Sequence, residues 1–380
     1  MKIGFLYNAQ VHQIPHSAPM AFELSIRHPH LDVTIIVPTT THLTFLQELG
    51  TRYPDHTCSY VVTTLPGVVR VLSQLWSGSL PPKLLTLAFN RHLFSTFDAL
   101  VVPERTSLAL KKLGLNRLKL IHSGHGAGDR EVAFEPRLKE FDFMLIPGQK
   151  HADRLLRLGL VHADGYALVG YCKFDLYLKH PPDAPRLFSN GNQTVLYNPH
   201  FRPQFSSWIT MGRQILEWFT NTTTYNLIFA PHIRLFEGAT MAEQHELQRY
   251  TGENILVDLG SDAGVNMTYT HAADIYLGDI SSQVYEFLIP PRPCIFLNAH
   301  AADWNNNPNY LCWKCGPVLS NVDDLGSHLD TATRTHAEYR PRQETLVQYT
   351  FDHSEHSAGV RGANAIAEYL ARAITTQEKG

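Results

Sequence analysis

The chain has 380 residues, 44% hydrophobic and 18% charged, with a formal net charge of -3. A length of this kind suits two domains of ~100–200 residues each, and the composition excludes a disordered chain, a basic nucleic-acid coat and, with 5 cysteines, a disulfide scaffold. The 21 histidines set against so few charges suit a polar site working near neutral pH or plain compositional drift.

In chain order, Lys2 to Tyr7 reads as a first buried strand. It lacks the long apolar region and small-residue cleavage site of a signal peptide. Ala18 to Arg27 reads as a helix, with Ser17 as its N-cap and Pro19 in the first turn, and Val33 to Val37 as a second strand ended by Pro38. Val68 to Phe94 is rich in Val, Leu, Trp and Phe. It reads either as a core-facing helix pair broken at Pro81-Pro82 or as a surface that docks on a membrane. No run reaches the ~20 apolar residues of a membrane span. The expected location is therefore cytoplasmic, and peripheral at the inner face of the membrane if that segment docks. Ser59–Thr63, Ala99–Pro103, Leu118–His122 and Phe143–Pro147 supply further short apolar runs, alternating with helical stretches such as Ser107–Leu113 and Gln149–Leu158.

The pattern restarts after a turn-rich stretch, Pro181 to Pro185 and Ser189 to Asn192. Strands are expected at Thr194–Asn198, Asn226–Ala230, Ile255–Asp258, Ile275–Leu277 and Cys294–Leu297. Helices are expected near Trp208–Phe219, Met241–Tyr250 and Ser282–Leu288, with a closing helix over Ser357–Ala373. This alternation predicts an α/β chain with two doubly wound, Rossmann-like domains, residues 1–178 and 190–356. Residues 357–380 form a closing helix that packs back on the first domain. Such a pair suits a ligand cleft between the domains, at the carboxyl ends of the strands.

Four stretches carry candidate chemistry. Ile121-His122-Ser123-Gly124-His125-Gly126-Ala127-Gly128-Asp129 ends a strand in a loop of glycines and histidines. Glycines free backbone N–H groups for anions, and a histidine there can take a proton near neutral pH. The same residues also suit a plain strand–helix turn. Tyr276 to Glu286 contains Asp279, Ser281 and Ser282 before a helix, a pattern for phosphate, with Glu286 placed to accept from ribose hydroxyls. Ordinary capping explains the same serines. Asn198-Pro199-His200-Phe201-Arg202 and Ala230-Pro231-His232-Ile233-Arg234 each set a His and an Arg two apart at a strand end. Together they suit a pyrophosphate. Cys312 and Cys315 lack the second pair that a zinc site needs. His12 and His16 flank the first strand–helix loop and could line the cleft, while His28 and His30 read as surface turn residues. No spacing resembles a metal cage.

Taken in order, these motifs resemble the CDP-glycerol glycerophosphotransferase family, enzymes of teichoic-acid and capsule-type polymers on the GT-B fold. His125-Gly126 matches the family's histidine–glycine loop. Gly170 to Asp175 is similar to its Gly-x-Pro-Arg-x-Asp block, and Tyr197 to Arg202 to the block opening the second domain. His232 follows the next strand, Asp279 to Glu286 is similar to the Asp-Tyr-Ser-Ser signature, and Phe351-Asp352 with Ser357 to Arg361 is similar to the tail. The chain departs from the pattern at Gly124, Cys172-Lys173 and His200, and His232 follows a proline. The resemblance implies transfer of a polyol phosphate from a CDP-linked donor to a hydroxyl of a glycan or lipid-linked acceptor. His125 would be the base, with His122 as its rival, and His232 would offset phosphate charge. Asn198, Arg202, Arg234, Asp279, Ser281, Ser282 and Glu286 would hold the donor. No metal or other cofactor is needed on this reading, and no nucleic acid is a partner. Two other readings share the fold: a nucleotide-sugar glycosyltransferase or non-hydrolysing UDP-sugar 2-epimerase, and a non-catalytic nucleotide-sugar binder. Nucleotide preference separates the first from these.

Overall fold

The structure is a computed structural model that describes residues 1–67, 81–178, 187–352 and 354–377. Residues 68–80 of the apolar segment and the Pro181 to Pro185 part of the turn-rich stretch lie outside the described residues. The chain divides into two compact units. The first comprises Met1–Gly126, Phe134–Lys179 and Thr350–Gly380, and the second Ala127–Ala133 and His180–Tyr349.

The first unit holds β1 (Lys2–Leu6), β2 (Asp32–Val37), β3 (Ser59–Val62), β4 (Ala99–Val102), β5 (Lys119–His122), β6 (Phe143–Ile146) and β7 (Tyr166–Leu168). They form one parallel sheet in the order β3-β2-β1-β4-β5-β6-β7. The second unit holds β8 (Gln193–Asn198), β9 (Tyr225–Phe229), β10 (Ile255–Val257), β11 (Ile275–Gly278), β12 (Cys294–Leu297) and β13 (Val318–Leu319). These are parallel in the order β10-β9-β8-β11-β12-β13. Helices cover both faces of such sheets, so the strands read as unbroken apolar runs. Ile3, Phe5, Leu120 and Ile121 in one sheet, and Val195, Leu227, Leu277 and Ile295 in the other, have no solvent exposure. In both sheets the strand order reverses at one point, between β1 and β4 and between β8 and β11. The loops at the carboxyl ends of those strands are where ligands bind in folds of this kind.

The helix Ala18–Arg27 forms where the sequence places it, but Ser17 does not cap it. Its hydroxyl is directed to the Tyr7 hydroxyl instead, 3.2 Å away. The stretch from Ser107 is split into a 3-10 turn, Arg105–Leu108, and a short helix, Ala109–Lys112. The helices Thr40–Gly50, Cys172–Tyr177 and Leu325–Thr350 and the strands β7 and β13 have no counterpart in the sequence reading.

The closing helix, Ala358–Gln377, packs along Ala18–Arg27. Gly359 lies against Pro19 and Gly362 against Met20, so close that a Cβ at either would collide. Asp175 caps this helix by accepting the N–H groups of Ala358 (3.2 Å) and Gly359 (2.7 Å). Arg361 binds the Leu168 carbonyl at 3.1 Å and the Asp352 carboxylate at 2.7 Å. The Gly170 to Asp175 block and the Phe351 to Arg361 tail are thus one structural joint of the first unit. No helix among the described residues is long and apolar enough to cross a membrane.

Candidate active site

His122 is the last residue of β5, and His125 sits in the glycine loop that follows. His125 directs Nδ1 at the Pro103 carbonyl, 3.0 Å away. A carbonyl can only accept, so Nδ1 carries the proton and Nε2 keeps its lone pair. His125 remains exposed at its outer edge, and partial loss of water around the ring lowers its pKa from the usual value; the Pro103 carbonyl and Glu104 pull it back up, and Arg105 and Lys83 push it down. It is a neutral imidazole at pH 7 with an open acceptor nitrogen. His122 packs on Phe141, ring centroids 4.6 Å apart, and burial pushes its pKa down to about 3. A base so weak takes little charge in a transition state. Glu104, which the sequence did not single out, accepts from Lys83 Nζ at 2.5 Å, Thr106 at 3.0 Å and Gln13 at 3.1 Å. It fixes a negative charge next to the His125 loop.

In the second unit, the two His-x-Arg stretches form a matched pair. Their loops leave adjacent strands, β8 and β9, and are tied together. Asn198 donates Nδ2 to the Ala230 carbonyl at 2.6 Å, and the His232 N–H donates to the Pro199 carbonyl at 3.0 Å. Inside each loop the Arg N–H donates to the His Nδ1: Arg202 to His200 at 2.9 Å, and Arg234 to His232 at 3.2 Å. That bond puts the ring proton on Nε2, the reverse of His125. The rings of His200 and His232 lie 5.8 Å apart, with Phe201 against both. His200 is 1% exposed, and burial, with Arg130 and His232 adding to it, lowers its pKa to about 2. It stays a neutral N–H donor at all working pH values. Its Nε2 is buried without a hydrogen-bond partner.

Arg130 completes this group, and no motif pointed to it. It belongs to the Ala127–Ala133 segment of the second unit. Its guanidinium stands 5.9 Å from the Phe205 ring centre. Burial and the nearby Arg202 lower its pKa to about 10, and its Nη1 is buried with no partner. Two neighbouring cations beside an unsatisfied imidazole donor form a group that could hold an anion, called the anion nest below. Arg234 stacks on Phe201 at 4.6 Å and pairs with Glu237 on the exposed rim.

Asp279 supports the nest from beneath. It has no exposure, and its Oδ2 accepts from the N–H groups of His200 (2.8 Å) and Ser207 (2.9 Å). Burial raises its pKa to about 7. Ser281 and Ser282 precede a helix of only five residues, Gln283–Phe287. Ser281 Oγ accepts the Gln283 N–H at 3.2 Å, while Ser282 lies under Gly128. Glu286 is 3% exposed within that helix. Asp129, 3% exposed, accepts the Tyr285 hydroxyl at 2.6 Å and the Cys312 N–H at 3.1 Å. This bond fastens the segment that carries Arg130. Of the three acidic residues that the sequence offers for proton abstraction in an epimerase, Asp129 and Asp279 are held as buried acceptors and Glu131 is exposed.

No curated protein matches the chain. Among solved structures, a Staphylococcus aureus MnaA–UDP complex is 14% identical, with a TM-score of 0.64, covering 97% of both chains. The wall teichoic acid polymerase TagF is 11% identical, with a TM-score of 0.62, covering 99% of this chain and 90% of its own. A structure named putative UDP-N-acetylglucosamine 2-epimerase, from Listeria monocytogenes, is 12% identical, with a TM-score of 0.62, covering 99% of this chain and 97% of its own. These likenesses fix the fold as GT-B-like. The sequence model described as CDP-Glycerol:Poly(glycerophosphate) glycerophosphotransferase matches residues 98–367, well over half of the chain. The chain therefore belongs to the CDP-glycerol:poly(glycerophosphate) glycerophosphotransferase family, as an enzyme of that type.

Proposed function

We propose that this enzyme transfers glycerophosphate from CDP-glycerol to a hydroxyl of a glycan or lipid-linked acceptor in cell-surface polymer synthesis. The observation that carries the reading is the opposed protonation of its histidines. His125 offers a lone pair, whereas His200 and His232 offer N–H groups. A base and a set of anion donors are what phosphoryl transfer needs from a protein. TagF, whose fold this chain shares, has also been solved with CDPG, which supports a CDP-linked donor.

In the proposed reaction, the acceptor oxygen attacks the phosphorus that bears glycerol. The bond from that phosphorus to the bridging oxygen breaks, and CMP leaves with the electron pair. The acceptor proton passes to His125 Nε2. Arg130, Arg202, His200 and His232 balance the charge on the phosphates, with Arg234 at the rim. Asn198 and Asp279 act by holding the loops, Ser281 and Ser282 offer hydroxyls past the end of the neighbouring β11, and Glu286 remains the proposed ribose contact. His122 is too weak a base for the role of His125.

The test is CMP release from CDP-glycerol with a hydroxyl acceptor. His125→Gln should lower turnover by about 10²–10⁴-fold, the usual share of a positioned acid or base, and His232→Gln by about 10²–10³-fold, the usual cost of one donor to a developing charge. Near-normal turnover in both would end the proposal. Turnover of UDP-sugars in place of CDP-glycerol would favour the glycosyltransferase or epimerase reading. The expected membrane contact keeps one support among the described residues. On the helix Lys83–Phe89, Leu84 is 59%, Leu85 40% and Phe89 50% exposed. Flotation with anionic vesicles should capture the protein, and Leu84→Asp with Phe89→Asp should release it. Wild-type protein that stays unbound would contradict this contact.

A further inference from the structure

A cavity of about 420 Å³ runs along β13, the edge strand of the second sheet, and none of the residues discussed above for transfer lines it. Its volume falls within the ~300–1,000 Å³ of small-molecule sites. Trp304 and Trp313 form one wall, with ring centres 6.1 Å apart and planes at 62°. Trp313 is 3% exposed, and its indole N–H has no hydrogen-bond partner. Such a buried donor is rare without an acceptor to meet it. Lys314, Tyr339 and Arg342 also line it, and the described lining contains no Asp or Glu. Arg342 reaches the Lys314 carbonyl at 3.5 Å, which draws both cationic residues to one rim.

The floor is fixed by close packing. A Cβ on Gly316 would strike the Cys294 carbonyl, so only glycine lets this wall approach β12. Gln343, with no exposure, donates to the Cys315 carbonyl at 2.8 Å and the Arg292 carbonyl at 2.9 Å, pinning the long helix that carries Tyr339 and Arg342. The cavity is therefore preformed.

We infer that this cavity binds a phosphate ester of a polyol or sugar. Two cations with no ion pair among the described residues, in a lining without a carboxylate, suit a phosphate. Two indoles meeting at a steep angle make an apolar corner, which fits a puckered aliphatic face. The cavity lies two strands along the sheet from β11, and so apart from the anion nest at β8 and β9. The inference does not depend on the transfer reading, because it is tested by binding alone.

The experiment is calorimetric titration of the full-length protein with glycerol 3-phosphate and glucose 6-phosphate, alongside glycerol, glucose and inorganic phosphate. Saturable binding of the two esters, at least tenfold tighter than of the other three, is expected. Trp304→Ala and Arg342→Gln should each weaken it at least tenfold while leaving CDP binding unchanged. Both positions are solvent-accessible, so the variants should fold, and the unchanged CDP titration verifies it. Absence of saturable ester binding, equal binding of inorganic phosphate, displacement of the esters by CDP, or variants that bind like wild type would each overturn the inference. If glycerol 3-phosphate saturates and glucose 6-phosphate does not, the ligand is a polyol ester. The reverse result makes it a sugar ester.

Discussion

Three histidines in this chain share a residue type and differ in the partner of Nδ1. Pro103 offers His125 a carbonyl, while Arg202 and Arg234 offer His200 and His232 an N–H. One contact per ring therefore decides base against donor. It also sets a pH dependence. A base works when deprotonated, and the folded protein holds His125 below its usual value of 6.5. The acidic limb of kcat/KM should accordingly fall below pH 6.5, and activity should persist into mildly acidic buffer. A limb above 6.5 would show that another group is the base. The sequence made the four histidines visible because each follows an apolar run. It could not show which nitrogen is protonated, since the partner of Nδ1 comes from a neighbouring strand for His125. Arg130 was illegible for a related reason. It lies in a loop without periodicity, and its role arises only when folding brings it beside Arg202 and His200, some 70 residues further along the chain.

At the scale of elements, the strands were readable because buried parallel strands are continuous apolar runs bounded by turns. The helix Leu325–Thr350 was not. Its pattern is weakly amphipathic, it contains Pro341, and its inner face is pinned by Gln343, a polar residue. The closing helix was legible, but the reason for its neighbouring motifs was not. Asp175 and Arg361 look like site residues in a sequence and prove to be the two halves of a cap and clasp. Removing an N-cap carboxylate costs about 0.5–2 kcal/mol. Asp175→Ala should thus lower stability by about that much in denaturant titration and leave the KM for donor unchanged. A changed donor KM with unaltered stability would place Asp175 in the binding site instead.

For the whole molecule, stability and function meet at Asp279. Its carboxyl is raised to about 7 by burial, above its value in an unfolded chain. The stability tied to this group is therefore full in acid, below the unfolded carboxylate value, and is lost as pH rises through about 7. Asp279→Asn keeps an acceptor for the His200 and Ser207 N–H groups but cannot ionise. Its melting temperature relative to wild type should rise steadily from pH 4 to pH 8. A difference that does not vary with pH would mean that Asp279 is not titrating between folded and unfolded states. The central proposal gives His125 the role of base and gives Arg130, Arg202, His200 and His232 the donor's phosphates. Calorimetric binding of CDP, set beside CMP release in the same preparations, tests it most directly. His125→Gln should bind CDP like wild type and release almost no CMP, whereas Arg130→Gln and His200→Gln should bind CDP at least tenfold more weakly and cytidine equally well. CDP binding that weakens in His125→Gln, or stays unchanged in both nest variants, would contradict the account.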